Sequence, residues 1–453
     1  MIDVKNKHIT IAGAARSGVA AAVLLKKKGA VPFLSDSGSV DHKFATKLRS
    51  QSIEFEENSH SERAMQGEFL VISPGVPTSS PIAQKYLTDQ KSIFSEIEMA
   101  SWFNRSPIVA VTGSNGKTTA ANWMHHTWKT AEKECIVAGN IGYAFSELVD
   151  QTEEDKDALL EVSSFQLDHT NTFHPAVAVI LNITPDHLDR YDNDFEKYAA
   201  SKFRITENQT SDDCFIYNAD DATVSGFAKK LSKRENAPHM MAFSTESEVP
   251  NGAFVRNGQL IIRLDQKEEI LMNTEDISLP GKHNLSNGMA TALAARASEI
   301  KNEFIRESLR SFEGVEHRLE YVRTFNGVKY INDSKATNIN AVWFALDSFN
   351  VPIVLILGGR DKGNNYNDLI TQIREKVHTV IAIGEAKEAI KKQLKDVVPS
   401  ITDAESMKEA VKKASKVAKR GEVVLLSPAC SSFDMFDNYE HRGKVFKESV
   451  LEL

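Results

Sequence analysis

At 453 residues, 41% hydrophobic and 26% charged, the chain has an ordinary globular composition and too much length for one core, which predicts roughly two to four domains of about 150 residues. A formal net charge of -8 excludes a general nucleic-acid binder, which needs a basic face to neutralise phosphates; a small anion needs only a local pocket of N–H groups and a few cations. Cys135, Cys214 and Cys430 are too few and too scattered for a disulfide framework or a zinc cage, and no stretch reads as a signal peptide or a spanning helix, so a cytoplasmic protein is expected.

Short apolar runs alternate with longer amphipathic stretches, the pattern of parallel sheets with crossover helices. The first strand, His8 to Gly13, leads into a glycine turn and a helix from Val19 to Lys28 ended by Gly29. The turn Gly13-Ala14-Ala15-Arg16-Ser17-Gly18, with Asp36 ending the next strand, approaches a dinucleotide fingerprint, but Ala15 stands where the middle glycine belongs. By itself this turn motivates a nicotinamide-dependent oxidoreductase only weakly. A helix between Ile93 and Ser106 stops before Pro107, which sets the first domain boundary.

The second strand–turn–helix unit carries the strongest local signal. Ile108 to Thr112 feeds Gly113-Ser114-Asn115-Gly116-Lys117-Thr118-Thr119. Backbone N–H groups of such a turn face phosphate oxygens at a helix N-terminus, with Lys117 reaching the β/γ-phosphates and the Thr118 hydroxyl serving Mg²⁺. Val111 occupies the place of the first glycine in the usual phosphate-loop pattern.

Three candidates for charge and metal chemistry follow. Glu161 ends the apolar run 158–160, His187 follows the predicted strand 176–183, and Lys202 lies on a predicted helix. Taken alone, these residues equally fit an exposed acid, a capping histidine and a solvated lysine. Phe254 to Ile261 reads as a β-hairpin turning at Asn257-Gly258. Asn284 and Asn287 share one face of a predicted helix start, a placement that also suits a capping cluster. The third unit begins with Ile353 to Leu357 and Gly358-Gly359, with strands at Val380–Ile383 and Val423–Leu426. Domains are expected at 1–95, 96–300 and 301–453.

The segments TGSNGKTT (112–119), EVSSFQL (161–167), NITPDHLDR (182–190), KFRI (202–205), GKHNLSN (281–287), EHRLE (316–320) and NDSKATN (332–338) occur in this order. Together they resemble the Mur ligases, which build the peptide stem of bacterial peptidoglycan. LSPACSSFDMF (426–436) and YEHRG (439–443) are similar to the branch that adds D-glutamate. The resemblance runs over nearly the whole chain and sets aside a non-enzymatic phosphate-loop switch.

What it implies is an α/β chain of three domains: N-terminal Rossmann-like, central phosphate-loop ATPase with a small β element, and C-terminal Rossmann-like. It further implies that ATP activates the carboxylate of UDP-N-acetylmuramoyl-L-alanine as an acyl phosphate, which D-glutamate attacks. Thr118 and Glu161 would hold one Mg²⁺; His187 and a carbamylated Lys202 would hold a second, with Lys117, His187 and Lys202 catalytic. Gly113 to Thr119, Asn284, Asn287, Arg318 and Asp333 would take ATP. Arg16, Ser17, Gly18, Asp36, Ser37, Ser73, Pro74, Gly75, Asn140 and His187 would take the UDP substrate, although Asn140 also suits a plain turn. Lys335, Thr337, Lys362, Ser432, Phe433 and Tyr439 would take D-glutamate; Phe433 and Tyr439 replace a leucine and a phenylalanine common in the family. The partners are then small molecules, with no nucleic acid or membrane insertion, and a monomer is expected. Another Mur-type or folylpolyglutamate synthase-like ligase is the nearest alternative.

Overall fold

The structure, a computed structural model, describes residues 2–361 and 363–453. Among the described residues the strands form three sheets. The first contains β1 (His8–Ala12), β2 (Val31–Ser35), β3 (Glu54–Glu56), β4 (Leu70–Ile72) and β5 (Ile93–Ser95), ordered β3-β2-β1-β4-β5 and parallel throughout. The second contains β6 (Ile108–Thr112), β7 (Cys135–Gly139), β8 (Asp157–Glu161), β9 (Val177–Ile180), β10 (Cys214–Asn218), β11 (His239–Ser244), β12 (Gly252–Arg256), β13 (Gln259–Leu264) and β14 (Lys267–Asn273). Its order is β14-β13-β12-β11-β10-β9-β6-β8-β7, parallel except for the antiparallel run β12-β13-β14.

The third sheet contains β15 (Glu320–Phe325), β16 (Val328–Asn332), β17 (Ile353–Gly358), β18 (Val377–Ile383), β19 (Ser400–Ala404) and β20 (Val423–Leu426). Its order is β15-β16-β20-β17-β18-β19, with only β15 antiparallel to its neighbour. By compactness the chain forms two units: Met1–Ile277 with Ser286–Phe312, and Ser278–Leu285 with Glu313–Leu453.

The parallel strands read as continuous apolar runs because helices cover both faces. Every residue of β6, β8 and β17 is buried. The hairpin forms where Asn-Gly demands it: Asn257 and Gly258 both take positive φ, 52° and 74°, the requirement of a type I′ turn. It carries on into β14, so the small β element is a three-stranded antiparallel extension of the parallel sheet. Its outer residues are charged, with Arg256 and Arg263 each bridged to Glu248 and Glu268. No helix among the described residues is long and apolar enough to cross a membrane.

Several elements differ from the expectation: β18 begins at Val377, ahead of Val380, and Ile93–Ser95 is a strand that precedes the helix expected there. The first helix spans Arg16–Lys27, starting inside the glycine turn. β9 stops at Ile180, short of Ile183, because the next residues turn away to brace the loop after β6.

Within the first unit, the helix Glu96–Ser101 joins the first two sheets through a buried carboxylate. Glu98 accepts from the Trp102 indole (2.9 Å), the Thr172 hydroxyl (2.6 Å) and the N–H groups of Asn171, Thr172 and Phe173 (3.0, 3.0 and 2.8 Å). Phe69, Phe94 and Trp102 pack edge to face beside it. Removing the acceptor strands several buried donors at once, so Glu98→Ala is expected to cost about 3 kcal/mol or more. A clear fall in melting temperature would show it; an unchanged melt would mean that the carboxylate does not hold this junction.

Candidate active site

The loop after β6 is shaped by two glycines with φ of 155° and 85°, Gly113 and Gly116. Gly116 caps the helix Lys117–Thr130 with no side-chain cap, so the first-turn N–H groups face the loop's concavity, the arrangement that receives phosphate oxygens. The turn is braced from the segment after β9. Ser114 N–H donates to the Asn182 carbonyl (2.9 Å), Asn115 N–H to Asn182 Oδ1 (2.9 Å), and the Ser114 hydroxyl to the Thr184 carbonyl (2.8 Å). Thr184 N–H and the Tyr198 hydroxyl, each 2.9 Å away, donate to Ser114 Oγ. Asn287 closes the other side: a Cβ on Gly116 would come within 2.6 Å of its Oδ1.

Two lysines converge on one oxygen. Lys117 Nζ lies 2.7 Å and Lys202 Nζ 2.9 Å from the Gly113 carbonyl. Lys202, on the helix Phe195–Phe203, is only 2% exposed and lies over the Tyr198 ring at 4.7 Å. Burial first, and the neighbouring Lys117 charge second, press its pKa well below the usual lysine value, against weaker pulls from Asp186, Asp168 and Glu161. The bland reading of a solvated lysine is excluded by this burial.

Glu161 ends β8 and is 1% exposed. Its Oε1 accepts from Asn140 Nδ2 at 2.7 Å, whereas Oε2 is buried without a hydrogen-bond partner. A buried carboxylate oxygen left so is costly unless a cation meets it. Thr118, in the first turn of the adjacent helix, is half-buried, and Thr119 is buried. His187 stands on the turn after Ile183 in a left-handed conformation with φ 51°. Its side chain is 57% exposed, its ring meets Phe165 edge-on at 5.3 Å, and its Nε2 lies 3.7 Å from Asp186.

Asn140 links this carboxylate to a cavity of about 940 Å³ at the C-terminal edge of the first sheet. Arg16, Ser17, Asp36, Ser37, Ser73, Pro74, Gly75 and Asn140 all line it. Gly18 and His187 are not among its lining residues. Gly18 serves packing instead: a Cβ there would overlap the Gly13 carbonyl at 1.8 Å. Asp36 acts as a brace, accepting from Ala14 N–H (2.6 Å) and Gly38 N–H (2.8 Å).

The second unit holds the remaining candidates except Asn287. Asp333 is buried, accepts from Ser427 Oγ (2.8 Å) and Leu319 N–H (3.2 Å), and is pushed up to about 6 by burial, partly offset by Arg318. Asn284 donates to the Pro280 carbonyl at 2.8 Å. Lys335 Nζ lies 5.6 Å over the Tyr439 ring, and Tyr439 also lines a cavity of about 610 Å³ with Glu316 and His317. Thr337 is half-buried, Ser432 buried and Phe433 62% exposed. Lys362 lies outside the described residues.

Sequence reasoning assigned no role to Arg442, which is fully buried. It donates to the Cys430 carbonyl (3.0 Å), Ser334 Oγ (3.0 Å) and the Ser334 carbonyl (2.8 Å), tying the loop that carries Ser432 to the end of β16. The signal available was the adjacent Gly443, where a Cβ would strike His317 at 2.3 Å. Asn182 likewise lies in a quoted motif without an assigned role.

Three family models match the chain: the MurD N-terminal domain over residues 9–82, the Mur ligase middle domain over 111–295, and the Mur ligase glutamate ligase domain over 317–430. The chain is similar to the UDP-N-acetylmuramoylalanine–D-glutamate ligase of Salinibacter ruber, 48% identical over 453 residues and covering 99% of this chain and 98% of that one. It is also similar to the enzyme of the same name from Chloroherpeton thalassium, 45% identical, with 100% and 99% covered. Among solved structures it resembles the UDP-N-acetylmuramate–alanine ligase of Thermotoga maritima, with TM-score 0.60 and 17% identity over 99% of this chain and 100% of that one. The MurF ligase of Thermotoga maritima in complex with ADP gives TM-score 0.59 and 16% identity over 93% and 95%. At such identities the likeness to these structures shows the fold alone.

The Asn287 contact and the positive φ make Gly116 irreplaceable in the turn. Gly116→Ala is expected to weaken ATP binding about ten-fold or more, read by calorimetric titration with MgATP. Wild-type affinity in that variant would mean that the loop does not cradle the phosphates.

Proposed function

The chain belongs to the Mur ligase family, and we propose that it joins D-glutamate to the alanine carboxylate of UDP-N-acetylmuramoyl-L-alanine with conversion of ATP to ADP and phosphate. The observation that carries this reading is the Asn140 bridge between the cavity of about 940 Å³ and Glu161. It joins a cleft suited to a long anionic substrate to a carboxylate beside a phosphate-binding loop.

The chemistry follows from charge. A carboxylate is a poor electrophile, so one of its oxygens attacks the γ-phosphorus and ADP leaves. The D-glutamate amine then attacks the acyl phosphate, loses a proton, and the tetrahedral intermediate expels phosphate. Lys117 and the first-turn N–H groups of its helix meet the phosphate charge that develops in the first step.

The unpartnered Oε2 of Glu161 fits a divalent cation. Glu161 with the Thr118 hydroxyl would hold one Mg²⁺, and His187 with a modified Lys202 a second. Bound there, Mg²⁺ would neutralise phosphate charge and polarise the transferred phosphoryl group. Lys202 suits carbamylation. Its depressed pKa favours the neutral amine, which adds to CO₂ with loss of a proton and leaves an anion beside Lys117.

Lys335, Thr337, Ser432, Phe433 and Tyr439, with Lys362, are assigned to D-glutamate, and Asn284, Asn287, Arg318 and Asp333 to ATP. The functional domains divide near residues 95 and 300, and the enzyme works as a cytoplasmic monomer in peptidoglycan precursor synthesis.

Phosphate release from ATP with UDP-N-acetylmuramoyl-L-alanine should depend on D-glutamate, and not on L-glutamate, L-alanine, L-lysine or meso-diaminopimelate. Release with another amino acid would overturn the substrate assignment. Lys202→Ala should lose activity by about 100-fold or more and regain part of it with short carboxylic acids. The wild type should show a carbamate resonance with ¹³C-bicarbonate. Full activity in Lys202→Ala would overturn the role given to this lysine.

A further inference from the structure

The loop that carries Asn140 is tied at both ends. It leaves β7 at Gly139 and enters the helical turn Phe145–Leu148. At its start, Asn140 N–H donates to the Glu161 carbonyl (2.8 Å) and Asn140 Nδ2 to Glu161 Oε1 (2.7 Å), while Gly139 N–H donates to the Tyr143 carbonyl (2.9 Å). Gly139 takes φ 104°, and a Cβ there would strike the Glu161 carbonyl at 2.3 Å. Between the two ends, Arg16 donates to the Gly142 carbonyl.

The far end is held from outside. Ala144 precedes the turn Phe145–Leu148 and has no side chain that could cap it. The cap comes instead from Glu96, 50 residues earlier, at the head of the helix that follows β5. Its Oε1 accepts both the N–H and the hydroxyl of Ser146, each at 2.6 Å. Glu96 is 1% exposed, and its Oε2 is buried without a hydrogen-bond partner. Burial pushes its carboxyl above the ordinary range, more than the Ser146 bonds pull it down. A local serine or asparagine cap would satisfy so short a turn without burying a carboxylate. What Glu96 adds is a fixed distance between the end of β5, in the first sheet, and the loop that reaches Glu161.

We propose that Glu96 is a positioning residue for the ligation: by pinning Ser146 it holds Asn140 against Glu161. Glu96 is not among the residues that line the cavity, so it acts through Asn140 and touches no substrate itself. This inference rests on the reading of Asn140 and Glu161 proposed above. Released at Ser146, the loop keeps only the Arg16 and Asn140 contacts to hold its register. A displacement of about 1 Å at a positioned group can cost about 100-fold in rate, so a remote anchor of this kind matters to the chemistry.

Hydrogen exchange of the full chain without ligands, and calorimetric titration with UDP-N-acetylmuramoyl-L-alanine, test it together. In Glu96→Ala the amides of residues 139–147 should exchange about ten-fold faster while those of 113–119 keep wild-type rates. Affinity for the UDP substrate should fall about ten-fold. Glu96→Gln, which keeps the acceptor, should stay within about three-fold of wild type in both measurements. Asn140→Ala should lose a similar affinity, and adding Glu96→Ala to it should cost no more than about two-fold further, because residues that act through one contact are not additive. KM for D-glutamate should not move, whereas a general loosening of the fold would raise it. If Glu96→Ala does not fold, Ser146→Ala, which deletes one of the two bonds, takes its place in the same cycle with a smaller loss. Additive losses in the double variant, or undiminished protection of residues 139–147, overturn the proposal. Faster exchange there in a protein that does not bind the UDP substrate would keep the anchor and remove the substrate reading instead.

Discussion

Everything at the phosphate loop depends on the Gly113 carbonyl being shared by two amines, at 2.7 and 2.9 Å. Burial first, and the nearby Lys117 charge second, hold the Lys202 pKa well below the usual lysine value. The consequence reaches outward. The Tyr198 ring that lies over Lys202 also pins Ser114 through its hydroxyl. Anchoring of the loop and the electrostatic setting of Lys202 are therefore set by the same few side chains.

The sequence exposed the framework where burial left no choice. β6, β8 and β17 are buried along their whole length around apolar runs, and each was placed to within a residue or two because covered parallel strands must read that way. The hairpin was legible from Asn-Gly alone. β9 was drawn too long because Leu181 and Ile183 are as apolar as a strand, while Asn182 between them and Thr184 are committed to the glycine turn.

The site was legible in its members and less so in their tasks. Lys202 looked like any surface lysine, since nothing in KFRI states that its amine is buried. Asp36 stood in the right place but turns its carboxylate toward Ala14 and Gly38 N–H groups. Arg442 lies in a quoted segment, yet only the fold shows that three hydrogen bonds to the Ser334 and Cys430 region employ it as a buried tie. Roles of this kind are set by partners more than 100 residues away in the chain for two of those three bonds, beyond the reach of local periodicity.

The antiparallel run β12-β13-β14 answers a different problem. A broad parallel sheet must end somewhere, and its last strand offers unpaired N–H and C=O groups to any other chain. Here the last strand opens with Lys267, Glu268 and Glu269, all exposed, and Glu268 is bridged to arginines of the two strands inside it. Another strand could dock on that edge only by desolvating this charged rim. The extension thus works as a terminus against edge-to-edge aggregation, and the crowding of the cell is the setting in which such an ending matters most.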